Sequence, residues 1–213
     1  MRTSSVQLSP VKRVTNVGDM GPRTLLGICT SLKPAQGRRG RSAARSLLEY
    51  SLATVSNVYP EVYSLDLRDH AIPFFDGRMS DEYQNNGVSL VSGCVARAGA
   101  LLISVPAYWC GVVGVFKNFV DILCGPAYDL EEGAGTVFTS KPVGLVIVGA
   151  DEQSAAFGAE QAERIMKSTG AVLISPSVVV ANPRSRPVDE ASLSRDLVIL
   201  GAELIRSARA NDF

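Results

Sequence analysis

The chain has 213 residues, enough for one domain with a sizeable core, and its length calls for no second one. Its 21 basic and 21 acidic residues cancel, which excludes the electrostatic footprint of a nucleic-acid or anionic-membrane binder. Four cysteines without a C-x-x-C pair, beside a single histidine, exclude zinc-site spacing.

Residues 1–23 are polar and aperiodic, with Pro10, Gly18, Gly21 and Pro22 among them, and are expected to form a flexible leader outside the sheet. One domain is expected over residues 24–213. No signal peptide or membrane span appears, since the longest apolar runs are strand-length, and the expected location is cytoplasmic with reduced thiols. Thr24–Cys29 is a short apolar run and reads as a buried first strand. It opens into a basic loop rich in hydroxyls and glycine, Thr30–Ser42, before helical spacing over Ala43–Leu52. A strand, a loop and a helix N-terminus make an anion site, because the first-turn N–H groups lack partners and the helix dipole favours negative charge there. Ser42 fits an N-cap or a phosphate donor. No Gly-Lys-Ser/Thr closes the loop, so it is not a Walker loop. A solvated basic loop is the bland alternative.

Tyr59–Leu67 alternates as a second strand and exits through Asp66-Leu67-Arg68-Asp69-His70. His70, the one histidine, reads as a surface residue of a charged turn. Asp81–Arg97 is expected to be a helix, with a break near Gly87. Ala100–Val105 is a third strand, expected to stop at Pro106, which has no N–H for a ladder. A loop with an aromatic pair follows, Pro106-Ala107-Tyr108-Trp109-Cys110-Gly111, and an amphipathic helix is expected from Val112. Phe116, Phe119, Val120 and Leu123 form its stripe, facing either the core or a partner helix. Val143–Val148 is a fourth strand ending at Gly149-Ala150-Asp151, with helix over Glu160–Met166. A last strand runs over Ala171–Ile174 and Ser177–Val180, interrupted at Pro176, and a final helix over Val188–Ala208. Five strands alternating with helices argue a parallel sheet covered on both faces.

Pro106, Tyr108, Gly114, Lys117, Asn118 and Asp121, in that order, resemble the flavin-ring loop of the NAD(P)H-dependent FMN reductases, which include many quinone and azo reductases. The resemblance runs from about Thr24 to about Val180 and takes in the second-strand exit. Ser31 and Lys33 match the first part of the family's phosphate loop, with Lys in place of Arg, and Ser42 matches its later serine. Ala44 stands where the family has Asn or Thr, and the extra arginines of the loop, Arg41 among them, are candidates to substitute. Gly149-Ala150-Asp151-Glu152 replaces the family's Gly-Gly turn, which implies an altered ring pocket.

The resemblance implies an α/β, flavodoxin-like three-layer sandwich with a five-stranded parallel sheet in the order 2-1-3-4-5. In that order the first and third strands flank the topological switch point, so their two loops meet over one crevice. The implied cofactor is FMN, with its phosphate at Ser31, Lys33, Arg41 and Ser42. Its ring would lie against Pro106, Ala107, Tyr108, Trp109, Cys110, Gly111, Gly149 and Ala150. NADPH or NADH would be the co-substrate, and a small molecule such as free flavin or a quinone the electron acceptor. A homodimer or homotetramer is implied too. Neutral net charge sits poorly with an electron-shuttle flavodoxin, which the family would make strongly acidic. Hydride transfer asks for no acid, base or nucleophile, so no catalytic side chain and no metal are nominated. The alternatives are a specialised flavoenzyme of the same fold acting on one metabolite, and a non-catalytic flavin-binding electron carrier.

Overall fold

The computed structural model describes residues 10–34, 41–126, 135–183 and 191–210. Its strands are β1 (Lys12–Arg13), β2 (Leu25–Cys29), β3 (Val62–Asp66), β4 (Ala100–Tyr108), β5 (Gly111–Val112), β6 (Pro142–Gly149), β7 (Val172–Leu173) and β8 (Val178–Ala181). The helices are α1 (Ala43–Ser56), α2 (Asn86–Arg97), α3 (Gly114–Cys124), α4 (Glu152–Ser168) and α5 (Ala191–Ala210).

The sheet runs β1-β3-β2-β4-β6-β7, with β8 continuing beside β6 and β5 folded antiparallel onto β4. Every other pairing is parallel. Counting only the five apolar strands, with β7 and β8 as the two halves of the last, the order is the expected 2-1-3-4-5. The sequence reading missed β1 and β5. Residues 10–23 are therefore not all outside the sheet: Lys12 and Arg13 pair with Tyr63 and Ser64, and Met20 is buried. Two-residue strands carry no periodicity to read. Residues 1–9 lie outside the described residues.

β4 is apolar on both faces because helices cover both. Leu101, Ile103, Val105 and Ala107 face α2, α3 and α4, whereas Ala100 and Leu102 face α1 and α5. Phe116, Phe119, Val120 and Leu123 of α3 all enter the first of these cores, so the stripe packs inward. Each such side chain, fully buried, is worth roughly 1.5–3 kcal/mol.

Two boundaries differ for clear reasons. β4 does not stop at Pro106 but continues to Tyr108. The Ser104 carbonyl accepts from the Thr30 N–H on the β2 side, and Pro106 faces that same edge two residues on, past the end of β2. Its missing N–H therefore costs no bond to β2, and its carbonyl still accepts from the Val113 N–H. α4 starts at Glu152 rather than near Glu160, because Asp151 caps it: the Asp151 carboxylate accepts from the Ser154 N–H at 2.7 Å. The helix expected over Asp81–Arg97 is broken just ahead of Gly87: Ser80–Glu82 is a short 3-10 turn, residues 83–85 are not helical, and α2 starts at Asn86, capped by the Asn85 side chain.

Candidate functional site

The carboxyl ends of β2, β4, β6 and β8 open into one cleft of about 1000 Å³. Lys33, Arg41, Ser42, Ala43 and Ala44 form its first wall, Pro106, Tyr108 and Trp109 the second, and Val148, Gly149, Ala150 and Asp151 the third; Asn182 and Pro183 close the far side. Expected site residues from three separate loops thus line one cavity. Ser31, Ala107, Cys110 and Gly111 are not among the lining residues: Ser31 is buried against the Ser42 hydroxyl, and the other three belong to the hairpin that carries Tyr108 and Trp109.

The first wall is built around two buried hydroxyls. Ser42 caps α1, its Oγ accepting from the Arg45 N–H, and donates to the Ser31 Oγ at 2.8 Å. Ser31 Oγ also accepts from the Lys33 N–H at 3.3 Å. The Lys33 Nζ donates to the Arg41 carbonyl, just ahead of the helix N-terminus. Arg41 itself leans away, toward Glu49 at 3.4 Å on the exposed flank of α1. Two hydroxyls, a lysine and a helix N-terminus form a site for a phosphate-sized anion. Residues 35–40, including Arg38 and Arg39, lie outside the described residues.

The second wall is a hairpin. Tyr108 pairs with Gly111, and the two residues between them both have left-handed backbone, with φ of 53° at Trp109 and 60° at Cys110. Paired positive φ values are the signature of the two-residue turn that favours Asn-Gly, so Trp-Cys here holds a strained conformation. α4 braces it: the Cys110 N–H donates to the Ser154 Oγ at 3.4 Å and the Val112 N–H to the Gln161 Oε1 at 2.8 Å. The turn lifts Trp109 clear of the protein, 97% exposed, with Tyr108 half-exposed beside it. Both aromatic rings are thus available to a flat ligand.

The third wall depends on Gly149. Its absent Cβ would fall 2.3 Å from the Ala155 N and 2.5 Å from the Ala155 Cα, so the close approach is to the protein's own helix. Gly158 does the same against the Ala107 Cβ at 2.4 Å. Together they seat α4 directly on the ends of β4 and β6. The Asn182 N–H donates to the Gly149 carbonyl, which carries the β8 exit to the rim.

Several sequence features serve the frame instead of the cleft. Asn118 accepts from the Phe75 N–H and donates to the Pro73 carbonyl, both at 2.8 Å, pinning the loop after β3. Lys117 pairs with Asp121 one turn on at 2.5 Å. His70 lines no part of the cleft. Burial pushes the thiols of Cys94 and Cys124 up to about 11, and it also raises that of Cys29. Among the described residues no group of three His, Cys, Asp or Glu side chains is placed to hold a metal, and no helix is long and apolar enough to cross a membrane.

Sequence reasoning missed Arg45, Asp66, Asp151 and Asn182. Arg45 is buried in the first turn of α1 and its Nε donates to the Asp66 Oδ2 at 2.6 Å. Burial opposes the guanidinium charge, but the hydrogen bond to Asp66 and the negative charges around it, Asp66 and Glu49 among them, together move the pKa up. A basic residue in a first helical turn works against the dipole, and that anomaly was the available signal. For Asp151 the signal was Asp151-x-x-Ser154 at a strand exit. Asn182 offered none.

FMN fits this cleft on the donor set alone: a buried hydroxyl pair at a helix N-terminus for its phosphate, and an aromatic wall facing glycine and alanine for its ring. Comparison with known proteins agrees. Residues 24–184 match the sequence profile of the NADPH-dependent FMN reductases. An NAD(P)H-dependent FAD/FMN reductase of Geobacillus thermodenitrificans (strain NG80-2) is 32% identical over 79 residues, which span 36% of this chain and 42% of that relative. Among solved structures, an oxidoreductase from Corynebacterium diphtheriae superimposes with a TM-score of 0.66 at 14% identity, covering 88% of this chain and 97% of that one. An NADH:FMN oxidoreductase, EmoB, gives 0.63 at 17% identity, over 86% and 89% of the two chains. FerB of Paracoccus denitrificans, an NAD(P)H:(acceptor) oxidoreductase, gives 0.65 at 13%, over 88% and 97%. At these identities the structural likenesses establish the fold alone, while the profile match over residues 24–184 shows the family: the chain belongs to the NADPH-dependent FMN reductases.

Proposed function

We propose that this protein binds FMN in the cleft and passes reducing equivalents from NADPH or NADH to a small-molecule acceptor such as free flavin or a quinone. The observation that carries the proposal is the meeting of the Ser31–Ser42 anion pocket and the Tyr108–Trp109 wall in one cavity. FMN, when bound, supplies the hydride and electron chemistry. The chain's own residues bind and orient. Ser31, Ser42, Lys33 and the first turn of α1 hold the phosphate. Tyr108 and Trp109 wall one side, and Gly149 and Ala150 keep the other narrow. The Asp151 carboxylate is occupied in capping α4, so it is assigned no proton transfer.

A second reading is favoured by Trp109. An almost fully exposed indole on a strained turn suits an enzyme specialised for one planar acceptor. A homodimeric or homotetrameric assembly in the cytoplasm belongs to the same proposal.

The test is the visible spectrum of the purified protein, followed by anaerobic addition of NADPH and then NADH. Flavin absorbance that bleaches with either nucleotide and returns with a quinone supports the proposal. A colourless protein that takes up no added FMN overturns it.

A further inference from the structure

We propose that Arg45 is a positioning residue for the cofactor phosphate, acting through the loop backbone from the core side instead of through contact with the phosphate. The proposal rests on the reading of the cleft as an FMN site.

The Arg45 side chain is 7% exposed and its guanidinium makes four bonds, using four of its five N–H donors. Nη2 donates to the Ser31 carbonyl at 2.8 Å and Nη1 to the Lys33 carbonyl at 2.9 Å. Nε and Nη2 grip the Asp66 carboxylate at 2.6 and 3.3 Å. The fork thus ties the loop after β2 to the end of β3, while its own Cα belongs to the first turn of α1. Asp66 is fixed in turn by its place opposite Cys29 in the sheet and by the Arg68 N–H, which donates to its Oδ1 at 3.1 Å.

The consequence for ligand binding follows from peptide geometry. A trans peptide holds its C=O and N–H on opposite sides. With the Ser31 carbonyl drawn inward to the guanidinium, the N–H of Leu32 is turned outward, to the side where Lys33 and Ser42 line the cleft. The same anchor sets the Ser31 Oγ where Ser42 meets it. Arg45 carries a full charge, yet Asp66 neutralises it at 2.6 Å, so its contribution is orientation more than field. Lysine has no fork and cannot make these contacts together.

A brace of this kind affects only the part of the ligand that touches the loop. FMN and riboflavin share the ring and differ in the phosphate, so the ratio of their affinities isolates the effect. Fluorescence titrations of apoprotein with each flavin are made for the parent, Arg45→Lys, Arg45→Gln and Asp66→Asn. The parent should prefer FMN. The Arg45 variants should bind FMN about 10- to 100-fold more weakly, the range expected for misdirected charge-assisted bonds, with riboflavin changed less than about threefold. Asp66→Asn, which keeps the shape and loses the charge, should lower the ratio in the same direction, and it provides the test if the Arg45 variants do not fold. A ratio unchanged from the parent, or equal losses for both flavins, overturns the proposal and leaves Arg45 a fold-stabilising residue. A parent protein that does not prefer FMN would instead overturn the assignment of the phosphate site itself.

Discussion

Gly149→Ala places a methyl group where the structure has none to spare. The added Cβ would lie 2.3 Å from the Ala155 N and 2.5 Å from both its Cα and its Cβ. Ordinary carbon contacts sit at about 3.5–4.0 Å, so the first turn of α4 must retreat by about 1 Å. That turn holds the Cys110 N–H through Ser154 and forms the Asp151 rim of the cleft. Overpacking costs about 1–3 kcal/mol, and the upper half of that range applies because the clash is with backbone, which cannot change rotamer. For a chain of this size each kcal/mol lowers the melting temperature by about 2–4 °C, so a fall of about 5–10 °C is expected. Gly114→Ala is the matched control: nothing lies within 4 Å of its added Cβ, and it opens α3. It should melt within a few degrees of the parent, on the stable side. Calorimetry or circular dichroism reads both. Equal melting temperatures for Gly149→Ala and the parent, or an equal loss in Gly114→Ala, would refute the claim that Gly149 seats α4.

Cys110→Gly should raise stability, since it relieves left-handed backbone at φ 60° in a turn that favours glycine there. A gain of about 1 kcal/mol, near 2–4 °C, is expected, and a lower melting temperature would show that the turn is not strained. Asp76 gives an acid-dependent term. Its carboxylate accepts from the Arg78 Nη2 and the Tyr83 hydroxyl, both at 2.7 Å, and these hold its pKa well below the usual carboxylate range. In acid the unfolded chain therefore binds this proton first, and the stabilisation, complete above about pH 4, fades as pH falls further. Asp76→Asn should melt lower than the parent near neutral pH, with the gap beginning to narrow below about pH 4 and closing only well below about pH 3; a gap that is constant with pH would remove the charge from the explanation.

The architecture was legible because its signals are collective. Five apolar runs, each of strand length, alternate with stretches of helical spacing, and every one became an element of the sheet or its cover. The strands that were missed, Lys12–Arg13 and Gly111–Val112, are two residues each and take their pairing entirely from tertiary context. Pro106 shows the limit of a local rule: the strand runs on through it because β2 has already ended on that edge and the Pro106 carbonyl still accepts from the Val113 N–H. At the site, the residues visible in the sequence were those whose type signals their task, such as Ser31 and Ser42 beside a helix start or Tyr108 and Trp109 after a strand. Arg41 lines the cleft and pairs with Glu49 on its exposed side, while Arg45, four residues on, reaches the loop from below. The distinction is one of helical phase, and it depends on where Asp66 arrives from β3. Gly149 is a point of close approach, and the approaching group is Ala155 of the protein's own helix.

Trp109 is the single tryptophan of the chain and stands at the mouth of the cleft, so its emission is a built-in reporter of that wall. Titration of the apoprotein with FMN, followed at the tryptophan emission maximum, tests most directly that flavin occupies this cleft. Quenching that saturates at one flavin per chain, and that needs far more FMN in a Ser31→Ala, Ser42→Ala double variant, is the expected result. Emission that does not respond to FMN, or a titration identical in the double variant, would contradict it.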